Sequence, residues 1–209
     1  MPNIAKLIKE LMLHLNNLKY LIELRMSKKV FFKKWISNPF RMGSIIPSSS
    51  GIGFHFAKNI DLNKPGPIIE VGSGTGTVTE ALIKSGVPED RIICFEIEKD
   101  FCDILKKKFP KASVYNADIL EIENFVDSKT QINSFISTLP FVSLGKQKTD
   151  EIMRLFKKFV DEGSDYLQMS YSPFFNSKAK KHGISSRRCS YVLRNFPPAY
   201  LYLCNNQSF

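Results

Sequence analysis

No stretch of this 209-residue chain approaches the roughly 18 consecutive apolar residues that a bilayer-spanning helix requires, so an integral membrane protein is not expected. The four cysteines, Cys94, Cys102, Cys189 and Cys204, form no CxxC pair and no metal-ligand spacing. That excludes a zinc site and a disulfide framework, and no bound metal is expected; the thiols read as small hydrophobes of a reducing cytoplasm. A G-x-x-x-x-G-K-[ST] run is missing, which argues against an NTPase. The N-terminus lacks a continuous apolar core followed by a small-residue cleavage site, so a secretory signal is not expected. Acidic residues are scarce at one end: residues 1 to 50 hold Glu10 and Glu23 against nine lysines and arginines, +7 of the net +10. Such a surface seeks phosphate, on nucleic acid or on anionic lipid, and charge alone does not choose between them.

What is present suffices for one globular core plus an extension, with 43% hydrophobic and 24% charged residues arguing against disorder. From Ile4 to Ile22, apolar residues recur at Ile4, Ile8, Leu11, Leu15, Leu18 and Ile22, the spacing of an amphipathic helix. Lys28, Lys29, Lys33 and Lys34 then bracket Val30, Phe31, Phe32 and Trp35. Aromatic and basic residues interleaved in this way fit a lipid head-group interface; a helix docked on its own catalytic domain or on a partner is the plainer alternative. Residues 1–40 are therefore read as a basic, membrane-contacting extension and residues 41–209 as the catalytic domain. The punctuation of Asn38 to Ser50, with Pro39, Gly43 and Pro47, suggests a gateway that leads into a short helix.

The organising stretch is Ile68 to Leu82, IIEVGSGTGTVTEAL. An apolar run leads into Gly72, Gly74 and Gly76 and then into a helical pattern: strand, glycine turn, helix. Such a turn brings a ligand against bare backbone at the positive end of a helix. Strands and helices then alternate, with strands expected at Arg91–Phe95, Ala112–Asn116, Ile132–Ser137 and Tyr166–Tyr171, and a closing hairpin at Ser190–Arg194 and Ala199–Leu203. The fold expected is α/β, a doubly wound, mostly parallel, seven-stranded sheet of Rossmann-like type, with its site outside the carboxyl ends of the strands.

Acidic residues fall along those ends: Glu70 within the first strand, Glu96 closing the second, Asp118 after the third. A carboxylate ending the second strand can accept both hydroxyls of a ribose, and a polar group after the third can read an adenine amine. The turn reads G-x-G-x-G rather than G-x-G-x-x-G, and Glu70 would repel a pyrophosphate. It favours a ligand with positive charge, and S-adenosyl-L-methionine carries an ammonium and a sulfonium.

The runs EVGSGTGTVTEAL, FEIEKDF and NADIL resemble class I S-adenosylmethionine-dependent methyltransferases over residues 40 to 204. Within that superfamily, RMGSIIPSSS, STLPFVSL and RNFPPAYLYL are most similar to bacterial phospholipid N-methyltransferases, which convert phosphatidylethanolamine to phosphatidylcholine. The resemblance implies a cofactor site at Glu70, Gly72, Ser73, Gly74, Gly76, Glu96, Ile97, Asp118, Ile119 and Ser137, and an acceptor site at Ser48, Ser49, Thr138, Leu139 and Pro140. It also implies a catalytic domain held at the inner face of the membrane by its basic N-terminus, with anionic phospholipid as partner. More distant is the likeness to ribosomal RNA adenine dimethyltransferases. Enzymes acting on base amines carry Asn or Asp before Pro-Pro and an aromatic after the fourth strand, whereas this chain reads Ser137-Thr138-Leu139-Pro140-Phe141. A conjugated amine needs that acceptor and an aliphatic amine does not. No C-terminal helical domain follows Leu203, and nucleic acid is not expected as a partner. Candidate proton acceptors are Tyr171, His55, or water near Ser137 and Thr138, with Tyr171, Phe141 and Phe54 as a candidate aromatic surround. The run Lys178, Lys180, Lys181, Arg187 and Arg188 is a solvated face or a second phosphate-facing patch.

Overall fold

The computed structural model describes residues 50–141, 144–193 and 198–206, all within the unit Gly43–Phe209. The expected extension 1–40, with Lys28, Lys29, Phe31, Phe32, Lys33, Lys34 and Trp35, lies outside the described residues, as do Ser48 and Ser49. Among the described residues no helix is long and apolar enough to cross a membrane.

Helix α1 (Ser50–Ala57) precedes β1 (Ile68–Val71). Alternation then runs through α2 (Thr77–Lys84), β2 (Ile92–Glu96), α3 (Lys99–Lys108), β3 (Ser113–Asn116), β4 (Ser134–Ser137), α4 (Lys146–Asp161), β5 (Asp165–Ser170), α5 (Phe175–Lys181), β6 (Ser186–Val192) and β7 (Ala199–Cys204). The seven strands form one sheet in the order β3-β2-β1-β4-β5-β7-β6. Neighbours among β1 to β5 are parallel, while β7 pairs antiparallel with both β5 and β6. The expected sheet and closing hairpin are thus present.

Strand β1 sits inside the sheet because all four of its residues can be buried, as a strand covered on both faces requires. Alternation divides its side chains between two apolar layers. Ile68 packs with Ile52, Phe56, Val78, Leu82 and Leu105 of α1, α2 and α3. Ile69 and Val71 pack with Ile152, Phe156, Val160, Phe175 and Ala179 of α4 and α5. Glu70, two residues from Ile68, projects toward the α2 side, where Thr79 receives it.

Two elements depart from expectation. Strand β6 begins at Ser186, four residues before the expected Ser190, and ends at Val192. Its register with β7 shifts between Arg188 and Ser190, and such a bulge breaks the two-residue alternation by which a strand is recognised. Helix α5 was not expected at all. It is rich in lysine, serine and asparagine, and only Phe175 and Ala179, one turn apart, reach the core.

Candidate functional site

Parallel register brings the carboxyl ends of the inner strands level: Val71 pairs with Phe95 and Ser137, Glu96 with Asn116, and Ser137 with Gln168. The chain leaves β1 through three glycines in the left-handed region, Gly72 (φ 77°), Gly74 (φ 54°) and Gly76 (φ 79°). Two of them need glycine for different reasons. A Cβ on Gly76 would lie 2.4 Å from the Phe109 ring and 2.8 Å from Leu105, so the close seating of α2 on the core requires its absence. A Cβ on Gly74 would meet nothing within 4 Å, which leaves open space over the turn.

The carboxylates hold this turn. Glu96, at the end of β2, accepts from the N–H of Gly74 (2.8 Å) and of Glu98 (2.9 Å), one to each oxygen. Burial raises its pKa, against those backbone donors. Glu70 is 1% exposed. Its Oε2 accepts from the Thr79 hydroxyl at 2.7 Å, and its Oε1 has no hydrogen-bond partner. Burial pushes its pKa up to about 8; the Thr79 hydrogen bond opposes this, and the like charge of Glu96 adds to it. Ser73 is buried and its hydroxyl donates to the Glu70 carbonyl at 3.3 Å. Asp118 caps the turn Ile119–Asn124, accepting from Leu120 N–H at 3.1 Å, and pairs with Lys148 of α4. Ile97 is 61% exposed at the rim, an apolar surface suited to a flat ring, whereas Ile119 is buried.

A second set of residues adjoins the turn. Thr138 joins it to the glycine turn, its hydroxyl donating to the Gly72 carbonyl at 2.9 Å. The Ser137 hydroxyl accepts from Leu139 N–H at 3.3 Å, turning the chain beyond β4. Beyond lies a cavity of about 240 Å³, walled by Thr138 to Phe141, by the end of β5 and its loop through Tyr171, and by α5 as far as Lys178.

The predicted residues therefore gather into two adjoining groups. Glu70, Gly72, Ser73, Gly74, Gly76, Glu96, Ile97, Asp118 and Ser137 follow the strand ends, and Thr138, Leu139, Pro140 and Tyr171 wall the cavity. His55 stands apart from the cavity walls: its Nδ1 lies 2.6 Å from the Ser190 hydroxyl on β6. Phe54, 41% exposed, is also not on those walls, whereas Phe141 is. The basic run divides, since Lys178 lines the cavity while Arg188 covers the Tyr200 ring at 5.3 Å.

Three residues with supporting roles carried no local signal. Asn116 donates to the carbonyls of Glu96 (3.1 Å) and Ile97 (2.9 Å) and so positions the end of β2. The amide of fully buried Gln168 donates to the carbonyls of Leu139 (3.1 Å) and Met169 (2.5 Å) and accepts from the Tyr166 hydroxyl (2.5 Å). Lys148 reaches Asp118 from another layer. Only the polar residue type at a strand end hinted at the first two.

A buried carboxylate oxygen without a partner, open space over Gly74 and an adjoining cavity fit a cationic adenosine cofactor beside an acceptor. Fold and site together define an S-adenosylmethionine-dependent methyltransferase, with S-adenosyl-L-methionine as its cofactor. Residues 54–181 match the family model described as ribosomal RNA adenine dimethylase, and the chain belongs to this family. An ornithine lipid N-methyltransferase of Singulisphaera acidiphila is 23% identical over 84% of this chain and 94% of its own length. A ribosomal RNA small subunit methyltransferase A of Thermotoga neapolitana is 29% identical over 57% of this chain, which thereby spans 44% of that relative. Among solved structures, a TehB-like S-adenosylmethionine-dependent methyltransferase of Corynebacterium glutamicum superposes with a TM-score of 0.54 at 14% identity, covering 88% of this chain and 99% of that one. Magnesium protoporphyrin IX methyltransferase of Synechocystis, solved with bound S-adenosylmethionine, gives 0.56 at 11% identity over 75% and 78%. These structures share the fold.

Proposed function

We propose that the protein methylates the amino group of a lipid head group at an anionic membrane surface, taking phosphatidylethanolamine toward phosphatidylcholine. The observation that carries this reading is the chemistry of the cavity walls. Among the described residues no carboxylate lines the cavity, and its one amide, Gln168, is engaged with Leu139, Met169 and Tyr166. A conjugated base amine needs an acceptor to localise its lone pair, while an aliphatic amine needs only to be neutral and aligned. The likeness to an ornithine lipid N-methyltransferase over 84% of this chain supports a lipid amine as acceptor.

The cofactor, when bound, supplies a methyl group on a sulfonium. Glu70 and Glu96 would hold it from the α2 side of the turn, and the Thr138–Gly72 hydrogen bond would set the acceptor wall against it. Leu139, Pro140, Phe141, Met169 and Phe175 keep water from the line of transfer. Transfer would exchange that carbon–sulfur bond for a carbon–nitrogen bond and leave the acceptor as an ammonium. The ammonium so formed loses a proton before any further round. The hydroxyls of Ser170 and Ser172 hold the loop after β5 and that of Thr138 holds the glycine turn, so water beside Ser137 and Thr138 is the proton acceptor proposed for the amine. Residues 1–40 are proposed to hold the domain on the inner face of the membrane, and deleting residues 1–35 should abolish flotation with anionic liposomes; undiminished flotation would remove that role.

Methylation of RNA adenine is the second reading, favoured by the family match at residues 54–181. Purified protein with labelled S-adenosylmethionine, offered phosphatidylethanolamine vesicles, ornithine lipid vesicles and unmodified ribosomal RNA in parallel, separates the two. Label is expected in lipid; label in RNA alone overturns the proposal.

A further inference from the structure

We infer that Lys178 is the binding site for the oxyanion of a zwitterionic acceptor, which leaves the acceptor's amine for the Thr138 wall of the same cavity. This rests on the lipid-amine reading and adds a substrate requirement to it: an anionic group joined to the amine by a short spacer. Either a phosphodiester or a carboxylate meets that description.

Two chemically distinct walls contribute to the cavity. Thr138 is hydrogen-bonded to the glycine turn that cradles the cofactor, so the reacting nitrogen belongs there. Lys178 lies on α5, and its ammonium sits 5.3 Å from the centre of the Phe141 ring, itself a wall of the same cavity. Among the described residues lining that space Lys178 alone carries a charge.

That charge is poorly compensated in the free protein. Lys178 forms no ion pair within 4 Å among the described residues, although many other lysines there do: Lys64, Lys84, Lys99, Lys108, Lys148, Lys157 and Lys158. The acidic group acting on it is Asp150, which is bound 3.3 Å away to His182. Burial lowers the pKa of Lys178, the direction expected of a cation with too little opposing charge. A ring face compensates an ammonium only in part. An arriving oxyanion would complete the environment with a charge-assisted hydrogen bond, and it would do so on α5 rather than on the Thr138 wall, leaving the amine to face the transferable methyl group.

The sequence offered Lys178 only as one member of a basic run, and Lys180 and Lys181 of that run are exposed. Only the helix turn that buries Phe175 and Ala179 aims Lys178 inward while its neighbours face water.

The test uses the full chain in mixed micelles with three acceptors: phosphatidylethanolamine, ornithine lipid, and an uncharged diacylglycerol carrying an aminoethyl ether in place of the phosphoethanolamine. Lys178→Gln is expected to raise KM for the two zwitterionic lipids by about tenfold or more with kcat changed far less, and Lys178→Arg to recover most of that loss. The ether amine should be a poor acceptor for the unaltered protein, and Lys178→Gln should weaken it no further. Cofactor affinity, read by calorimetry, monitors the fold of each variant. Equal losses on all three acceptors, or no loss on any, overturn the role of Lys178 while leaving lipid methylation intact. A loss confined to one zwitterion tells phosphodiester from carboxylate and supports the assignment for that source. If the unaltered protein labels RNA and none of the lipids, the lipid-amine reading falls and the assignment falls with it.

Discussion

Along the carboxyl edge of the sheet, the half at β1 to β3 proposed for the cofactor and the half at β4, β5 and α5 proposed for the acceptor treat polar groups in opposite ways. The cofactor half buries two carboxylates, one bridging Gly74 and Glu98 and the other holding an oxygen without a partner. The acceptor half is walled largely by apolar side chains, its amide and two serines hold loops, and the charge on its walls is a cation. One half is complementary to a ligand of constant structure; the other excludes water and leaves the acceptor's shape open. The difference predicts that damage to the first appears as lost fold or lost cofactor affinity, and damage to the second as lost turnover.

The largest expected effect separates two neighbouring glycines. Gly76→Ala puts a methyl group into Phe109 and Leu105 at a positive φ, and should cost about 3 kcal/mol, lowering Tm by roughly 6–12 °C. Gly74→Ala meets no atom, so its stability cost should stay near about 1 kcal/mol while cofactor affinity falls by more than that. Thermal melts with and without cofactor read both. If the two variants melted alike, Gly74 would not be the open floor of a ligand site.

Next is Glu96→Ala, which removes the carboxylate that binds the turn and leaves the Gly74 N–H without its acceptor. Cofactor affinity should fall about 30- to 100-fold by calorimetry. Unchanged affinity would remove Glu96 from the site.

Smaller, and dependent on pH, is the effect of Glu70. With its pKa near 8 the free protein carries this carboxyl mostly protonated at pH 7. A cationic cofactor selects the ionised form, so binding should release a proton at pH 7 and tighten by up to about tenfold between pH 6.5 and 8. Calorimetry in buffers of different ionisation enthalpy counts that proton. Stability of the free protein should move the other way. A carboxyl whose folded pKa is raised binds more protons folded than unfolded, so its contribution is complete below the unfolded value and is lost as pH rises toward 8. Glu70→Gln should flatten both dependences; a variant that kept them would place the titrating group elsewhere.

The smallest effect belongs to Gln168→Leu in the acceptor half. It frees the Leu139 carbonyl from β5, and turnover should drop about fivefold while cofactor affinity stays within about twofold. An equal loss of cofactor affinity would mean that the two halves are not separable.

Legibility follows the same division. Gly72, Gly74, Gly76, Glu70 and Glu96 were readable because φ sterics and strand alternation act over a few residues. Asn116, Gln168 and Lys148 were not, because their partners lie 19, 29 and 30 residues away. Helix α5 escaped for a related reason, since two buried residues among lysines are too weak a pattern to announce a helix. His55, named from the sequence as a candidate proton acceptor, instead meets Ser190, 135 residues distant.

By itself the sequence determined the sheet, its glycine turn and the carboxylates at the strand ends, because local backbone sterics and side-chain alternation dictate those wherever they occur. Only the tertiary structure decided which side chains share the acceptor cavity. Leu139, Gln168 and Lys178 come from three segments that meet because parallel β4 and β5 end side by side and α5 packs back on their core. No local rule encodes that meeting, since it is set by the burial of Phe175 and Ala179 against strands far along the chain.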